Sequence, residues 1–407
     1  MSSIGSYAFY SCNSLGAVCI EDLAAWCEIS FLNVSANPLY YAGNLYLNGE
    51  LVTVLEIPDS VTSIGEYAFG YCTALESITI PNGVTSIGSY AFMGCTLLAD
   101  ITLPDGMTSI GAGAFAGCMA LESITLPDSV TSIGEYAFGY CTALESITIP
   151  DGVTSIEQLT FAYCTALTDI EIGNGVTSID TYAFYYCTAL TDITVPDSVT
   201  SIGVAAFAGC SSIESMTLPF VGGSASATSA SSSTLFGYIF GPESYDGGES
   251  TMQYSGTSMV YYYIPYSLTS VTITGGKILY GAFIYCTGLE SVTIGDGVTS
   301  IGDYAFSGCT ALESVIIGDG VTGIGSYAFY CCTALESVTI GSSVTSISGY
   351  AFYLDYSIKT VYYVGTEEEW DAISIYSYNT YLTDATIYYG DEWYFDENGD
   401  IVLAATA

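Results

Sequence analysis

The hydrophobic positions of this chain repeat at a fixed interval, and one unit shows the pattern. The apolar residues Leu75, Ile78 and Ile80 alternate with polar residues, as in a strand that buries one face and exposes the other. Pro81 follows directly and ends the strand, because it has no N–H to donate to the next ladder bond. Asn82 and Gly83 are turn residues. The unit therefore begins with a short strand and a tight turn.

The second half of the same unit predicts two further pieces. Residues 84–87 form a second short strand, which Gly88 closes. Residues 90–95 are long enough for one helical turn, with Phe92 and Cys95 on its inner side. Each unit, which we call a rung, is thus predicted to be β-rich, with two short strands and one helical turn.

The rung recurs along most of the chain. Its Phe positions are 23 residues apart within each of two runs, and a Cys follows three residues after each Phe from Phe69 to Phe329. These Phe are Phe69, Phe92, Phe115, Phe138, Phe161, Phe184 and Phe207, then Phe283, Phe306, Phe329 and Phe352. A fixed period in this range predicts a repeat solenoid, in which each unit packs on its neighbours. A lone rung buries too little apolar surface to offset the ordering of its backbone, so stability belongs to the array.

The charge balance excludes several classes of partner. The 407 residues include 42 Asp and Glu, no His, and only Lys277 and Lys359 as basic residues. Binding to nucleic acid or to anionic membranes needs clustered basic residues, so neither is expected. No apolar run approaches the ~20 residues that span a bilayer. Without His, the usual general base is missing, and we predict no catalytic residues, no enzyme activity and no cofactor.

The fourteen Cys leave two interpretations open. Eleven are periodic, which favours a buried column of reduced thiols, since free Cys packs as a small hydrophobe. Disulfides among them are the alternative. Cys19, Cys27 and Cys331 lie outside the periodic positions, and Cys331 is expected to be the most exposed thiol.

Breaks in the period divide the chain into six segments. Because the chain opens in the second half of a rung, it is expected to be a fragment of a longer protein. The segments are a partial repeat at 1–12, an atypical repeat at 13–50, regular rungs at 51–219, an insert at 220–267, regular rungs at 268–357 and a second atypical repeat at 358–407.

The two atypical repeats share one plan, a short helix followed by a hairpin. Asp22 is a predicted N-cap in the first, and Asn48-Gly49 is its predicted hairpin turn. In the second, Thr366 and Glu369 have capping-box spacing. A terminal hairpin there is expected to turn at Asn398-Gly399.

The insert is the first candidate binding site. A Ser/Ala-rich stretch at 224–233 predicts a flexible loop, and the aromatic runs 236–240 and 261–265 are expected to pair as a protruding hairpin. Either the aromatic side chains contact a ligand, or they cover the gap between the two runs of rungs. The candidate contacts are Phe236, Tyr238, Phe240, Tyr261, Tyr262 and Tyr263.

Three periodic surface rows are further candidates, each with a plainer alternative. Outward hydroxyls on the first strand form a second candidate ligand-binding row, although strand propensity alone also explains them. Rows of Tyr suit protein or glycan contacts but can equally pad the turns. Rows of carboxylates are either solvated or bind Ca²⁺ weakly. The named candidates are Thr79, Thr102, Thr125 and Thr148 for the ligand, and Asp105, Asp128 and Asp151 for Ca²⁺.

The consensus L-x-x-I-x-I-P-x-x-V-T-S-I-G-x-x-A-F-x-x-C resembles the BspA-type leucine-rich repeat over residues 51–219 and 268–363. The resemblance implies a leucine-rich-repeat solenoid in a cell-surface or secreted protein, of the kind described as adhesins for host proteins or neighbouring cells. We therefore expect a non-catalytic protein at the cell surface or outside the cell, with a protein, glycan or cell-surface ligand. The alternative is a structural stalk or filament segment that self-associates end to end through uncapped rungs.

Overall fold

Equivalent residues of successive rungs lie side by side in parallel strands. The structure is a computed structural model that describes residues 3–396 and 401–404. In it, Ser77 pairs with Asp100, Ile78 with Ile101 and Thr79 with Thr102. Because the register equals the sequence period, each side chain lies beside its counterpart in the next rung. The predicted repeat solenoid, β-rich and low in helix, is confirmed.

The chain divides into two units, Met1–Asp192 with Ala205–Ser211, and Ile193–Val204 with Ser212–Ala407. In the first unit, two rows of strands alternate along the chain, joined by turns. The strands of the first row are Val18–Ile20, Leu45–Leu47, Val54–Glu56, Ser77–Thr79, Asp100–Thr102, Ser146–Ile149 and Asp169–Ile172. The strands of the second row are Ser3–Ile4, Ser30–Phe31, Ser63–Ile64, Ser86–Ile87, Ser109–Ile110, Ser132–Ile133, Ser155–Ile156 and Ser178–Ile179.

The second unit repeats this arrangement, with two long strands that run through both rows. Asp192–Thr194 lies where the chain passes from the first unit to the second. The first-row strands are then Ser215–Leu218, Ser270–Ile278, Ser291–Ile301, Ser314–Ile317, Ser337–Ile340, Thr360–Tyr363 and Thr386–Tyr388. The second-row strands are Ser201–Ile202, Gly323–Ile324, Ser346–Ile347 and Ser374–Ile375.

Phenylalanine forms the central column of each unit. Phe138 and Phe161 stack with ring centroids 5.6 Å apart, and Phe161 and Phe184 with centroids 5.5 Å apart. In the second unit Phe306 and Phe329 stack at 5.1 Å. These rings are buried, as are the Leu, Ile, Val and Cys positions of the same rungs. The core is therefore a set of parallel columns, each built in most rungs from the same or a closely similar apolar residue.

The helical turn expected at 90–95 takes the form of linked tight turns. The N–H of Met93 donates to the carbonyl of Tyr90, and the N–H of Cys95 to that of Phe92, which is i→i+3 bonding. Tyr90 and Gly94 have φ values of 59° and 71°, so the helical dihedrals are broken at both positions. Phe92 and Cys95 face inward as predicted.

Short helices and hairpins mark the atypical segments. The helix Leu23–Cys27 begins after Asp22, whose carboxylate accepts the N–H of Ala25 at 3.0 Å, and the capping box of Thr366 with Glu369 opens the helix Glu367–Asp371. Two further helices are Leu39–Ala42 and Thr380–Thr383, and the 3₁₀ helices are Val34–Ala36, Ser232–Thr234 and Phe236–Ile239. The hairpins are Leu45–Leu47 with Glu50–Leu51, Gly248–Tyr254 with Met259–Pro265, and Trp393–Phe395 with Ile401–Leu403. The expected turn at Asn398-Gly399 lies outside the described residues.

The predicted pairing within the insert is wrong. Residues 236–240 are not a strand, since Phe236–Ile239 is a 3₁₀ helix. The strand Met259–Pro265 pairs instead with Gly248–Tyr254, the acidic stretch that sequence reasoning left as a connection. Ser215 and Ser270, on either side of the insert, pair directly in the usual register. The chain thus leaves the sheet after the strand Ser215–Leu218 and, after the insert, re-enters it as the directly neighbouring strand Ser270–Ile278.

Candidate functional site

The aromatic candidates of the insert divide into buried and accessible side chains. Phe236, Phe240 and Tyr262 are buried, so they cannot contact a partner directly. Tyr261 is 57% exposed on the outer face of the hairpin. Tyr238 and Tyr263 are half-buried. Three of the six candidates are therefore packed inside the insert, and Tyr261 is the most accessible of the others.

Phe236 takes the place of a rung phenylalanine. Its ring lies 4.7 Å from that of Phe283, and its N–H donates to the carbonyl of Ala282. Phe283 makes the equivalent bond to Ala305 of the next rung. The insert thus continues the phenylalanine column of the second unit, a role that the missing 23-residue period conceals in the sequence.

A buried glutamine joins the hairpin to the rung beneath it. The Gln253 side-chain oxygen accepts the N–H of Gly237 at 2.8 Å, and its Nε2 donates to the carbonyls of Ala282 and Ile284 at 3.4 and 3.3 Å. Polar groups buried in this way are stabilising only while they are paired. Gln253 therefore fixes the hairpin on the solenoid and holds the outer face of Met259–Pro265 in place.

The second candidate row has the predicted orientation. Thr79 and Thr102 are paired neighbours on the sheet, and Thr79, Thr102, Thr125 and Thr148 are all exposed. Thr148 pairs with Glu171 on the next strand and its hydroxyl donates to that carboxylate at 3.4 Å, whereas Thr125 lies outside the strands, so the ladder is interrupted between Thr102 and Thr148. The exposed hydroxyls can offer hydrogen-bonding groups to a partner.

The turn aspartates have a structural role in several rungs. The Asp151 carboxylate accepts the N–H of Asn174, one rung later, at 2.7 Å, and Asp296 accepts the N–H of Asp319 at 2.8 Å. Asp105, Asp128 and Asp151 are exposed. Within residues 3–396 and 401–404, no group of three or more His, Cys, Asp or Glu is placed to hold a metal ion. Weak Ca²⁺ binding along this row stays a prediction.

The tyrosine rows owe their positions to backbone conformation. Tyr90 and Tyr136 have φ values of 59° and 61°, in the left-handed region that favours glycine. Other rungs carry Gly113 or Leu159 at the same place, also at positive φ. Where tyrosines follow one another, their rings stack, as Tyr304 and Tyr327 do at 4.8 Å. Stacking offsets part of the backbone strain, which explains how tyrosine occupies a glycine-like position.

A cleft opens in the first unit where the tyrosine row is broken. The ring of Tyr90 lies over Gly113, and Leu159 takes the place of a tyrosine between Tyr136 and Tyr182. The cavity of about 410 Å³ beside these positions we call the tyrosine cleft, and its lining residues are Tyr90, Glu135, Tyr136, Tyr140, Leu159, Ala162, Tyr163 and Tyr185. Sequence reasoning noticed the tyrosine rows but missed the cleft. The signal was present as Gly113 and Leu159 at positions where neighbouring rungs have Tyr.

The cysteine column consists of free thiols that bond to the backbone. The Cys141 thiol donates to the carbonyl of Phe115 in the preceding rung at 3.2 Å. The equivalent bond is made by Cys95, Cys118, Cys164, Cys187, Cys210, Cys309 and Cys332. Burial raises the pKa of Cys141 to about 12. Such thiols are packing groups rather than nucleophiles. The expectation for Cys331 is wrong, because Cys12 and Cys19 are exposed whereas Cys331 is half-buried.

The last rung of the column holds Asp355 where the others hold Cys. Its side chain is fully buried, and burial raises its pKa to about 9. Oδ1 accepts the N–H of Cys332 at 2.7 Å, and Oδ2 is the one buried side-chain oxygen or nitrogen of the described residues without a hydrogen-bond partner. The carboxyl is therefore neutral at physiological pH. Sequence reasoning passed over this exception in an otherwise uniform column.

Among the described residues, no helix is both long and apolar enough to cross a bilayer.

The periodic units match the model of the BspA type leucine rich repeat region in six copies, over residues 42–164, 108–225 and 257–387. A comparison with curated proteins finds no match.

Several solved structures are similar to this chain. A leucine rich cell surface protein from Faecalibacterium prausnitzii is 29% identical, with a TM-score of 0.42, over 82% of this chain and 92% of that one. A leucine-rich repeat protein from Bacteroides ovatus is 24% identical, with a TM-score of 0.41, over 80% and 82%. The leucine rich repeat protein of T. pallidum is 26% identical, with a TM-score of 0.32, over 49% and 71%. The family model spans most of the rungs described above, and the chain therefore belongs to the BspA-type leucine-rich repeat family.

Proposed function

We propose that this protein is a non-catalytic binding protein, at the cell surface or secreted, which presents its repeat surface to a protein, glycan or cell partner. The observation that carries the proposal is the hairpin of the insert. Met259 and Tyr261 are 64% and 57% exposed on its outer face, while Tyr262 and Ile264 anchor its inner face. Exposed aromatic and Met side chains on a rigid support are typical of interface centres.

Two contacts hold the hairpin rigidly on the solenoid. Gln253 hydrogen-bonds the hairpin to the rung beneath, and Phe236 stacks on Phe283. Pre-ordered side chains lose little conformational entropy on binding, which favours affinity. The exposed hydroxyl row of Thr79, Thr102, Thr125 and Thr148 is the second proposed contact surface. The surface location is supported by family membership, and the similar F. prausnitzii protein is itself a leucine rich cell surface protein.

Point substitutions test the insert better than its deletion, because deletion would also remove Phe236 and Gln253 from the core. The Met259→Ser/Tyr261→Ser double variant removes the outward apolar surface only. Fluorescently labelled protein is applied to an array of secreted proteins and glycans and to cultured cells. We expect the double variant to lose at least about tenfold in affinity for whatever the wild type binds, as interface centres do.

The matched control is Tyr356→Ser, which removes an equally exposed tyrosine, 58% accessible, far along the chain from the insert. It should bind as the wild type does. Wild-type protein that binds nothing across the array and the cells, or a double variant with unchanged binding, would refute the proposal for the insert.

A further inference from the structure

We propose that the tyrosine cleft binds the arginine side chain of a basic segment on the partner protein. The inference rests on the proposed function, since it names the chemistry of the partner that such a surface would hold. It concerns a different place on the chain from the insert. The two can therefore be tested separately.

The geometry of the rings suits a planar cation. Tyr140 and Tyr163 stack with centroids 4.3 Å apart, and Tyr136 stands at 72° to Tyr140, 6.2 Å away. Tyr185 stands at 89° to Tyr163 at 5.3 Å. Ring planes in two orientations thus line one cleft. A guanidinium is attracted to the face of an aromatic ring and can stack flat on it, which a tetrahedral ammonium cannot do.

The charges of the cleft favour a cation and oppose an anion. Glu135 is an exposed carboxylate in the lining. Burial and the neighbouring tyrosines raise the pKa of Tyr136 to about 12, so its hydroxyl stays neutral. The sequence of the first unit contains no Lys, Arg or His. An incoming guanidinium therefore competes with no internal cation for the carboxylate and the ring faces.

Carboxylates beside the cleft are crowded, which adds to the same preference. Burial, and then the charge of Glu157, raises the pKa of Asp180. Glu157 lies two residues before Leu159, a lining residue. A bound cation nearby lowers the repulsion between such groups. The cleft's volume of about 410 Å³ is within the range of ligand pockets and admits one long side chain with part of its backbone.

The second unit supplies a natural contrast. Tyr304, Tyr327 and Tyr350 follow one another without a gap, and each ring stacks on the next at 4.8 Å. That row is continuous, whereas in the first unit Tyr136 and Tyr185 stand across the stack of Tyr140 and Tyr163 and line a cleft beside it. Attraction to the acidic surface in general would act on both units, whereas insertion beside the rings requires the cleft, which lies where Leu159 breaks the tyrosine row of the first unit.

The test uses the full chain and two five-residue peptides. The probe is acetyl-Gly-Ser-Arg-Ser-Gly-amide, and its neutral counterpart has citrulline in place of arginine. Binding is followed by NMR of the tyrosine ring protons in ~0.15 M NaCl, where exposed charges are largely screened beyond ~8 Å. The cleft variants are Tyr136→Gly and Tyr140→Gly. Glycine already occupies the equivalent left-handed positions at Gly113 and Gly94, so both variants should fold.

We expect the arginine peptide to bind the wild type at least about fivefold more tightly than the citrulline peptide, in line with measured cation–π effects. Each cleft variant should lose about the same factor. The control Tyr327→Gly removes a tyrosine from the same rung position in the second unit, also at positive φ, and should leave binding unchanged.

Three results would overturn the inference: no binding of the arginine peptide to the wild type, equal binding of the citrulline peptide, or an equal loss in Tyr327→Gly. The last two would indicate a neutral ligand or non-specific charge attraction. If the wild type binds a partner through Tyr261 but does not bind the arginine peptide, the inference about the cleft is wrong and the proposed role of the insert stands. If the wild type binds the arginine peptide but no partner through Tyr261, the proposed role of the insert is wrong and the inference about the cleft stands.

Discussion

The backbone N–H of Cys332 donates to the carboxyl Oδ1 of Asp355 at 2.7 Å, inside a column that otherwise holds only thiols. Burial is the main reason why the pKa of Asp355 rises from 3.8 to about 9. At a pH between these two pKa values, the Asp355 carboxyl is ionised in the unfolded chain but still protonated in the folded protein. The unfolding free energy must therefore fall as pH rises through that window, by about 1.4 kcal/mol per pH unit.

This gives a first prediction, best measured between about pH 6 and 7, where ordinary carboxylates are ionised in both states and the thiols, which titrate at about 8.5 in an unfolded chain, are still almost wholly protonated in both. The urea midpoint of the wild type should fall across this interval. Asp355→Asn keeps an acceptor for the Cys332 N–H but cannot ionise, so its midpoint should stay nearly constant. The exposed Asp100→Asn variant serves as control and should follow the wild type; a wild-type midpoint independent of pH would contradict the prediction.

A second prediction concerns the phenylalanine column. Phe138→Ala removes a ring that stacks on both Phe115 and Phe161, with centroids 5.6 Å from each. Because the stack on either side prevents collapse of the cavity, the loss should be about 3–5 kcal/mol. Leu97→Ala, at a side chain that is 52% exposed, should change stability by no more than about 0.5 kcal/mol. Chemical denaturation of both variants measures the difference, and similar midpoints would show that the column is not the core.

The third prediction tests the anchor of the insert. Gln253→Ala leaves the Gly237 N–H and two buried carbonyls without the partners that the amide provides, which should cost about 1–3 kcal/mol. Gln158, the other glutamine of the chain, is exposed, and Gln158→Ala should be nearly neutral. Hydrogen exchange should locate the loss in residues 236–265. Unchanged protection in that segment would mean that the hairpin is held by other contacts.

Thiol labelling provides the fourth prediction. Cys12 and Cys19 should react with iodoacetamide in the folded protein, Cys331 more slowly, and the buried column only after denaturation. The reason is twofold, since burial blocks access and raises the pKa of column thiols such as Cys309 to about 12. Peptide mapping by mass spectrometry after chymotrypsin cleavage identifies the labelled residues. Prompt modification of Cys141 without denaturant would contradict the predicted packing.

The sequence predicts the regular part of the fold well for a physical reason. Periodic burial acts on every rung alike, so the strands, the inward Phe and Cys, and the parallel register follow from the 23-residue spacing. The N-cap at Asp22 and the capping box at Thr366 are local hydrogen-bonding patterns and are confirmed as well. These features depend on neighbours in sequence or on exact repetition.

The irregular features could not be predicted in the same way. Residues 236–240 are a short apolar run, which periodicity cannot assign to a strand or a helical turn. Their 3₁₀ conformation depends on contact with Phe283 and Gln253, which are distant in sequence. The tyrosine cleft likewise depends on how side chains of several rungs pack around Leu159. The accessible candidates Tyr261 and Tyr263 were separable from buried Tyr262 only once the hairpin partner was known.

The direct pairing of Ser215 with Ser270 has a consequence for how such proteins diversify. The hydrogen-bonded pairing of the two strands does not depend on the conformation of the chain between these two residues. The excursion can therefore change in length or sequence without altering the pairing of these two strands, provided that Phe236 and Gln253 keep their contacts with the rung of Phe283. Outside these two anchors, sequence change in the excursion is largely separate from the requirement to fold.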